Sequence, residues 1–95
     1  MKTLLVVGAS PNQVPAIRVA GELGYEVVAV DVNSDAVGFQ YADHGEVVSN
    51  DVVNSAVDLS RQYDVDGALT MAADIGVPTV AAVRAELGLP GVGPE

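Results

Sequence analysis

Apolar residues fall in short blocks separated by turn-forming positions, and the blocks change period in a regular order. Thr3–Val7 is almost wholly apolar, and Glu26–Asp31 is apolar except at its ends. Unbroken apolar runs of this length read as central parallel strands covered on both faces. Between them, about Gln13 to Leu23 follows a helical period. Pro15 falls in its first turn, where a missing N–H is tolerated, and Gly24 provides a left-handed stop. Val14, Ile17, Ala20 and Gly21 form the expected inward face, and Ser10 or Asn12 the expected N-cap. A short strand is predicted over Glu46–Ser49. A second helix runs from an Asn50 or Asp51 cap to about Tyr63, with Val53, Ala56, Val57 and Tyr63 as its apolar stripe. A fourth strand covers Gly67–Met71, and the loop Ala72–Gly76 leads into a third helix over Val77–Leu87, stopped by Gly88. The tail Pro90–Pro94 has room only for a very short fifth strand. This β/α alternation predicts one α/β three-layer Rossmann-like unit with a parallel sheet ordered 3-2-1-4.

One connection breaks the pattern. Parallel strands are normally joined by a crossover of a dozen or more residues that includes a helix. Val32–Gly45 has the length but reads Asn33-Ser34-Asp35-Ala36-Val37-Gly38-Phe39-Gln40-Tyr41-Ala42-Asp43, which is turn chemistry and a short aromatic segment. At most one helical turn is expected there, with Phe39 and Tyr41 packing as lids on the sheet edge.

Composition narrows the function classes. The 95 residues make one small domain, and 49% apolar content marks it as globular. No cysteine is present, so disulfides, zinc–thiolate sites and thiol nucleophiles are excluded. Lys2, Arg18, Arg61 and Arg84 stand against thirteen acids, for a net charge of −9. Four scattered cations form no stripe for phosphates, so nucleic acid is not an expected partner. No apolar run is long enough to span a bilayer, and no secretory leader pattern opens the chain, so the expected compartment is the cytoplasm.

In open parallel sheets ligands bind at the carboxyl ends of the strands. The loops Gly8–Gln13, Asp31–Gly38 and Ala72–Gly76 converge there. The first occupies the place of the G-x-G-x-x-G dinucleotide fingerprint, but only Gly8 stands; Ser10 and Gln13 replace the second and third glycines. Those glycines allow backbone contact with a pyrophosphate and close helix–strand packing. Side chains at both places argue against a bound dinucleotide. Gly8, Ser10, Asn12, Gln13, Asp31 and Asp74 are the ligand-binding candidates. Gly8 is expected to serve an unusual backbone angle, and Ser10 and Asn12 to cap the helix, with spare amides left for a small anion. Asp31 stands where a dinucleotide fold accepts ribose hydroxyls, but without the glycines it is expected to cap the Asn33–Ala36 turn. Asp74 either caps the third helix or faces the crevice. His44, the only histidine, is expected on the surface, and no metal site or catalytic residue is assigned. Asp64 and Asp66 fall at the opposite rim, as solvated surface.

The runs Leu5-Val6-Val7-Gly8-Ala9-Ser10-Pro11-Asn12-Gln13-Val14-Pro15-Ala16-Ile17 and Gly24–Gly38, followed by Tyr41-Ala42-Asp43, resemble the N-terminal (pre-ATP-grasp) domain of ATP-grasp ligases. Asp66–Val80 and Leu87–Glu95 continue the pattern, so the likeness extends over essentially the whole chain. The helix-poor second crossover is typical of that domain. Where the family often has Asn-Pro-Asp-Ala-Pro after the second strand, this chain has Asn33-Ser34-Asp35-Ala36-Val37. The resemblance implies a parent of the carbamoyl phosphate synthase-like, carboxylate–amine ligase group, which activates a carboxylate with ATP as an acyl phosphate. The first domain then frames one wall of the active site, while later domains hold ATP and Mg2+. Such chemistry needs cationic and carboxylate groups converging on one site, and this chain offers one lysine. The domain is therefore expected to be inactive alone and to carry no cofactor, with the remaining ATP-grasp domains as partners. Two alternatives stay open: a nucleotide-binding Rossmann module of an oxidoreductase, and a designed or self-assembling non-catalytic module. Self-association is expected through the strand 4 edge and the helix 3 face formed by Val80, Val83 and Leu87.

Overall fold

The computed structural model describes residues 2–48, 52–70 and 76–88. Four strands form one parallel sheet in the order β3-β2-β1-β4, with β1 at Thr3–Val7, β2 at Glu26–Asp31, β3 at His44–Val47 and β4 at Gly67–Leu69. Three helices pack on it: α1 (Val14–Glu22), α2 (Val52–Tyr63) and α3 (Gly76–Leu87). The expected order and class hold. No helix among the described residues is long and apolar enough to cross a membrane.

Alternation along β1 and β2 divides the core in two. Leu5, Val7, Val28 and Val30 point to one face and meet Ala56 and Val57 of α2 and Val80 and Val83 of α3. Val6, Val27 and Ala29 point to the other, against Ile17 and Ala20 of α1. Burial on both faces is what makes the strands apolar throughout. On α1 the inward face is narrower than its period suggests, because Gly21 is exposed and Val14 only half-buried. Val80 and Val83 belong to the chain's own core, so the α3 face expected to meet a second copy is turned inward.

The β2–β3 connection contains a single 3-10 turn, Val37–Tyr41, in place of a helix. Gly38 approaches the β1–α1 loop so closely that an added Cβ would lie 2.6 Å from the Ala9 carbonyl oxygen. Its amide donates to that same oxygen at 2.7 Å. Phe39 packs on the α1-side core, as a lid, whereas Tyr41 is exposed beneath the Arg18 guanidinium.

β3 begins two residues earlier than expected and ends at Val47. Asp43 explains the shift. Its amide donates to the Val27 carbonyl and its carboxylate accepts the Val27 amide, so the chain is already docked on β2 when His44 pairs with Val28. Gly45 reads as a loop residue in sequence, but here it makes room for Phe39, whose Cδ1 would lie 2.8 Å from a Cβ at that position. β4 ends at Leu69, and the expected caps at Asn50 or Asp51, the Ala72–Ile75 loop and the tail from Leu89 lie outside the described residues.

Candidate functional site

The β1–α1 loop is built around Gly8, whose φ of +103° lies in the region that favours glycine. A Cβ there would also meet Gln13 Nε2 at 3.1 Å. Gln13 is wholly buried, with its side chain tucked beneath the loop. It therefore fills the concavity from below and does not reach the crevice, although it counts among the candidate ligand residues. Ser10 is extended and its carbonyl accepts the Gln13 amide at 2.9 Å. Neither Ser10 nor Asn12 caps α1 with its side chain. Pro11–Gln13 form a 3-10 turn in which the Ser10 carbonyl already takes the amide a cap would have claimed. Asn12 lies within that turn and is exposed.

Asp31 joins the two loops. One carboxylate oxygen accepts the Ala9 amide at 2.8 Å and the other accepts the Asn33 amide at 2.9 Å. Asn33 in turn accepts the Asp35 amide at 2.9 Å, closing successive Asx turns. The expected turn-capping role is present, and a bridge to the first loop is added to it. Together with the Gly38–Ala9 contact, this fixes the crossover against the loop of β1.

Ser10, Pro11, Asp31, Asn33, Asp35, Ala36 and Val37 line a shallow crevice of about 290 Å³ at the carboxyl ends of β1 and β2. The structure thus brings together Ser10 and Asp31, sets Gln13 below them, and leaves Gly8 as a backbone element. Asp74 lies outside the described residues. Pro11, Asn33 and Asp35 were not among the candidate residues; their signals were the position of Pro11 within the Gly8–Gln13 loop and the turn chemistry of Asn33-Ser34-Asp35. The lining holds two carboxylates and no cation, and among the described residues no group of three or more His, Cys, Asp or Glu could hold a metal ion. These residues do not fit a magnesium–nucleotide complex, whose phosphates need cationic partners.

The remaining polar clusters are structural. At the amino ends of the strands, Asp66 accepts the Thr3 amide at 2.8 Å and so ties β4 to β1. His44, half-buried, approaches Glu26 at 2.6 Å and packs against Tyr63 with ring centroids 4.9 Å apart and the rings tilted by 40°. The hydrogen bonds from His44 and then Thr3 hold the Glu26 carboxyl below the usual glutamate range. Tyr63 donates to Glu46, which together with burial pushes its phenol above the usual range.

A four-stranded parallel unit whose first loop is closed by a side chain defines a Rossmann-like domain lacking the dinucleotide phosphate loop. No protein-family model matches the sequence, and comparison with curated proteins finds no match. Solved structures do match. Phosphoribosylglycinamide synthetase from Anaerococcus prevotii superposes with a TM-score of 0.78 at 27% identity, over 95% of this chain and 23% of that one. N5-carboxyaminoimidazole ribonucleotide synthetase from Thermotoga maritima gives 0.69 at 22% identity, over 90% and 23%. L-amino acid ligase from Bacillus licheniformis gives 0.72 at 18% identity, over 97% and 25%. These are ATP-grasp ligases, and the chain resembles their N-terminal domain. It spans about a quarter of their length.

Proposed function

We propose that the chain is the N-terminal domain of an ATP-dependent ligase that forms an acyl-phosphate intermediate, and that it has no activity by itself. The observation that carries this reading is the whole-chain likeness to phosphoribosylglycinamide synthetase, which covers 95% of this chain but only 23% of the larger enzyme. Within such a parent, the Ser10–Gln13 and Asp31–Gly38 loops form one wall of the substrate site. ATP and Mg2+ belong to the other domains, because the crevice here has no cation to hold phosphates. Partners are those domains, and a cytoplasmic location goes with the reading. Any anion binding at the Ser10–Gln13 amides is weak and salt-sensitive against a net charge of −9.

Titration of the 95-residue chain with MgATP and with NAD, followed by calorimetry and amide chemical shifts, tests this. No saturable heat is expected from either. Micromolar NAD affinity, with shifts at Ser10 and Asp31, would overturn the reading and favour an oxidoreductase module.

A further inference from the structure

Asparagine can react with its own backbone: the nitrogen of the next residue attacks the side-chain amide carbon and closes a cyclic imide. The described asparagines offer very different settings for that reaction. Asn12, Asn33 and Asn54 are all exposed. Asn12 is followed by the long Gln13 side chain, and the Gln13 amide already donates to the Ser10 carbonyl at 2.9 Å. Asn54 shares the Asn-Ser dipeptide with Asn33 but lies in α2. Helical side chains tilt toward the preceding turn, away from the following amide. Asn33 differs on each count. Its side chain folds forward along the chain, and its Oδ1 accepts the Asp35 amide at 2.9 Å, which polarises the carbon to be attacked. Ser34 is small and exposed, and no hydrogen bond among the described residues engages its amide. The turn is held for the reaction by the Asn33 amide on Asp31 and the Ala36 amide on the Asn33 carbonyl, at 2.9 and 3.1 Å.

We infer that Asn33 is a modification site, deamidating spontaneously by cyclisation onto the Ser34 nitrogen. Hydroxide takes the Ser34 amide proton, and the nitrogen then bonds to Asn33 Cγ. The Cγ–Nδ2 bond breaks, and Nδ2 leaves with a proton from water as ammonia. Water then opens the imide. Cleavage at Cγ gives aspartate, and cleavage at the backbone carbonyl gives isoaspartate, with the chain rerouted through Cγ. The Asp31 and Asp35 carboxylates disfavour the anionic nitrogen, so the reaction is slow. Its consequence falls on the crevice, because Asn33 lines it between Asp31 and Asp35. Either product adds a carboxylate to a wall that already carries two and no cation. Isoaspartate also lengthens the backbone inside the turn, so the Asp35 amide loses its acceptor. The inference goes beyond the proposed function and does not rest on it, since it concerns only the chemistry of this loop.

Prolonged incubation of the chain in mildly alkaline buffer, with peptide fragmentation and mass spectrometry to place each change, tests it. In the folded protein Asn33 is expected to convert severalfold faster than Asn54, which reacts only when the first turn of α2 frays. In urea the two Asn-Ser sites are expected to react at similar rates, because the difference comes from the fold. Isoaspartate is expected beside aspartate at Asn33, as the imide route requires. Ser34→Val, at an exposed position, shields the nitrogen with a branched side chain and is expected to slow Asn33 severalfold while Asn54 keeps its wild-type rate. Equal rates at Asn33 and Asn54 in the folded protein overturn the inference. So does aspartate without isoaspartate, or an Asn33 rate unchanged by Ser34→Val.

Discussion

Substituting Gly38 by alanine places a methyl group 2.6 Å from the Ala9 carbonyl oxygen. Ordinary contact begins near 3.4 Å, so one backbone must retreat by close to an ångström. Neither is a flexible side-chain end. The Gly38 amide also donates to that oxygen at 2.7 Å, so the retreat stretches a hydrogen bond. Overpacking of this kind costs about 1–3 kcal/mol, and a weakened hydrogen bond adds about 1 kcal/mol. A destabilisation of about 2–4 kcal/mol follows, and at about 4–8 °C per kcal/mol for a domain of this size the Tm falls by about 8–32 °C. Backbone strain contributes nothing, because the positive-φ glycines are Gly8, Gly24 and Gly88. Gly21→Ala is the matched control. It lies in α1 with nothing within 4 Å of an added Cβ, so it gains about 0.5–1 kcal/mol from helix propensity and raises the Tm. Thermal unfolding followed by circular dichroism reads both. A fall of less than about 3 °C for Gly38→Ala, or shifts of the same sign in the two variants, would refute the packing of the crossover on the first loop.

Asp31→Ala leaves the Ala9 and Asn33 amides without their acceptor. A loss of about 1–3 kcal/mol is expected, at the lower end for a partly exposed site. Faster hydrogen exchange confined to those two loops is the accompanying sign, and unchanged exchange at Asn33 would contradict it. The depressed Glu26 pKa makes its contribution present above the unfolded-state value and lost as pH falls through the folded-state value. Glu26→Gln should therefore flatten the acid limb of the stability profile, measured by urea unfolding. The raised Tyr63 pKa acts in the opposite sense: its contribution is present below the unfolded-state value and disappears as pH rises through the folded one. Tyr63→Phe should remove that alkaline loss, and an unchanged alkaline limb would contradict the Glu46 hydrogen bond.

The strands of the sheet centre were readable because burial on both faces leaves β1 and β2 almost no polar position. The sheet order followed from the same alternation of elements. The shift of β3 was not readable, since it depends on Asp43 reaching the Val27 amide, a contact between elements with no local signature. His44 and Gly45 look like loop residues because an edge strand asks little of its side chains. At the site, the missing glycines signalled a loop that carries side chains where a dinucleotide cradle has none. That Gln13 points inward, beneath Gly8, was hidden, because a glutamine at that position says nothing about which way it turns. The expected side-chain caps failed for a related reason: the Ser10-Pro11 pair favours a tight turn closed by a backbone carbonyl. The apolar α3 residues looked available to a partner only because sequence cannot show that α2 and α3 share a face with the core.

Strand β1 is central, and its two neighbours reach it at very different times. β2 follows within the first third of the chain, but β4 pairs Leu4 with Gly67 and Val6 with Leu69. Two further bonds join the same regions across 63 positions: Thr3 to the Asp66 carboxylate, and the Thr70 hydroxyl to the Val7 carbonyl. During synthesis the nascent β1–α1–β2 segment therefore exposes the apolar edge of β1, five residues long, until Thr70 has left the ribosome. At about 5–20 residues per second, the interval lasts a few seconds. Throughout it the unpaired edge is a template for pairing with other chains, and chaperone demand should track the rate at which residues 31–70 are translated.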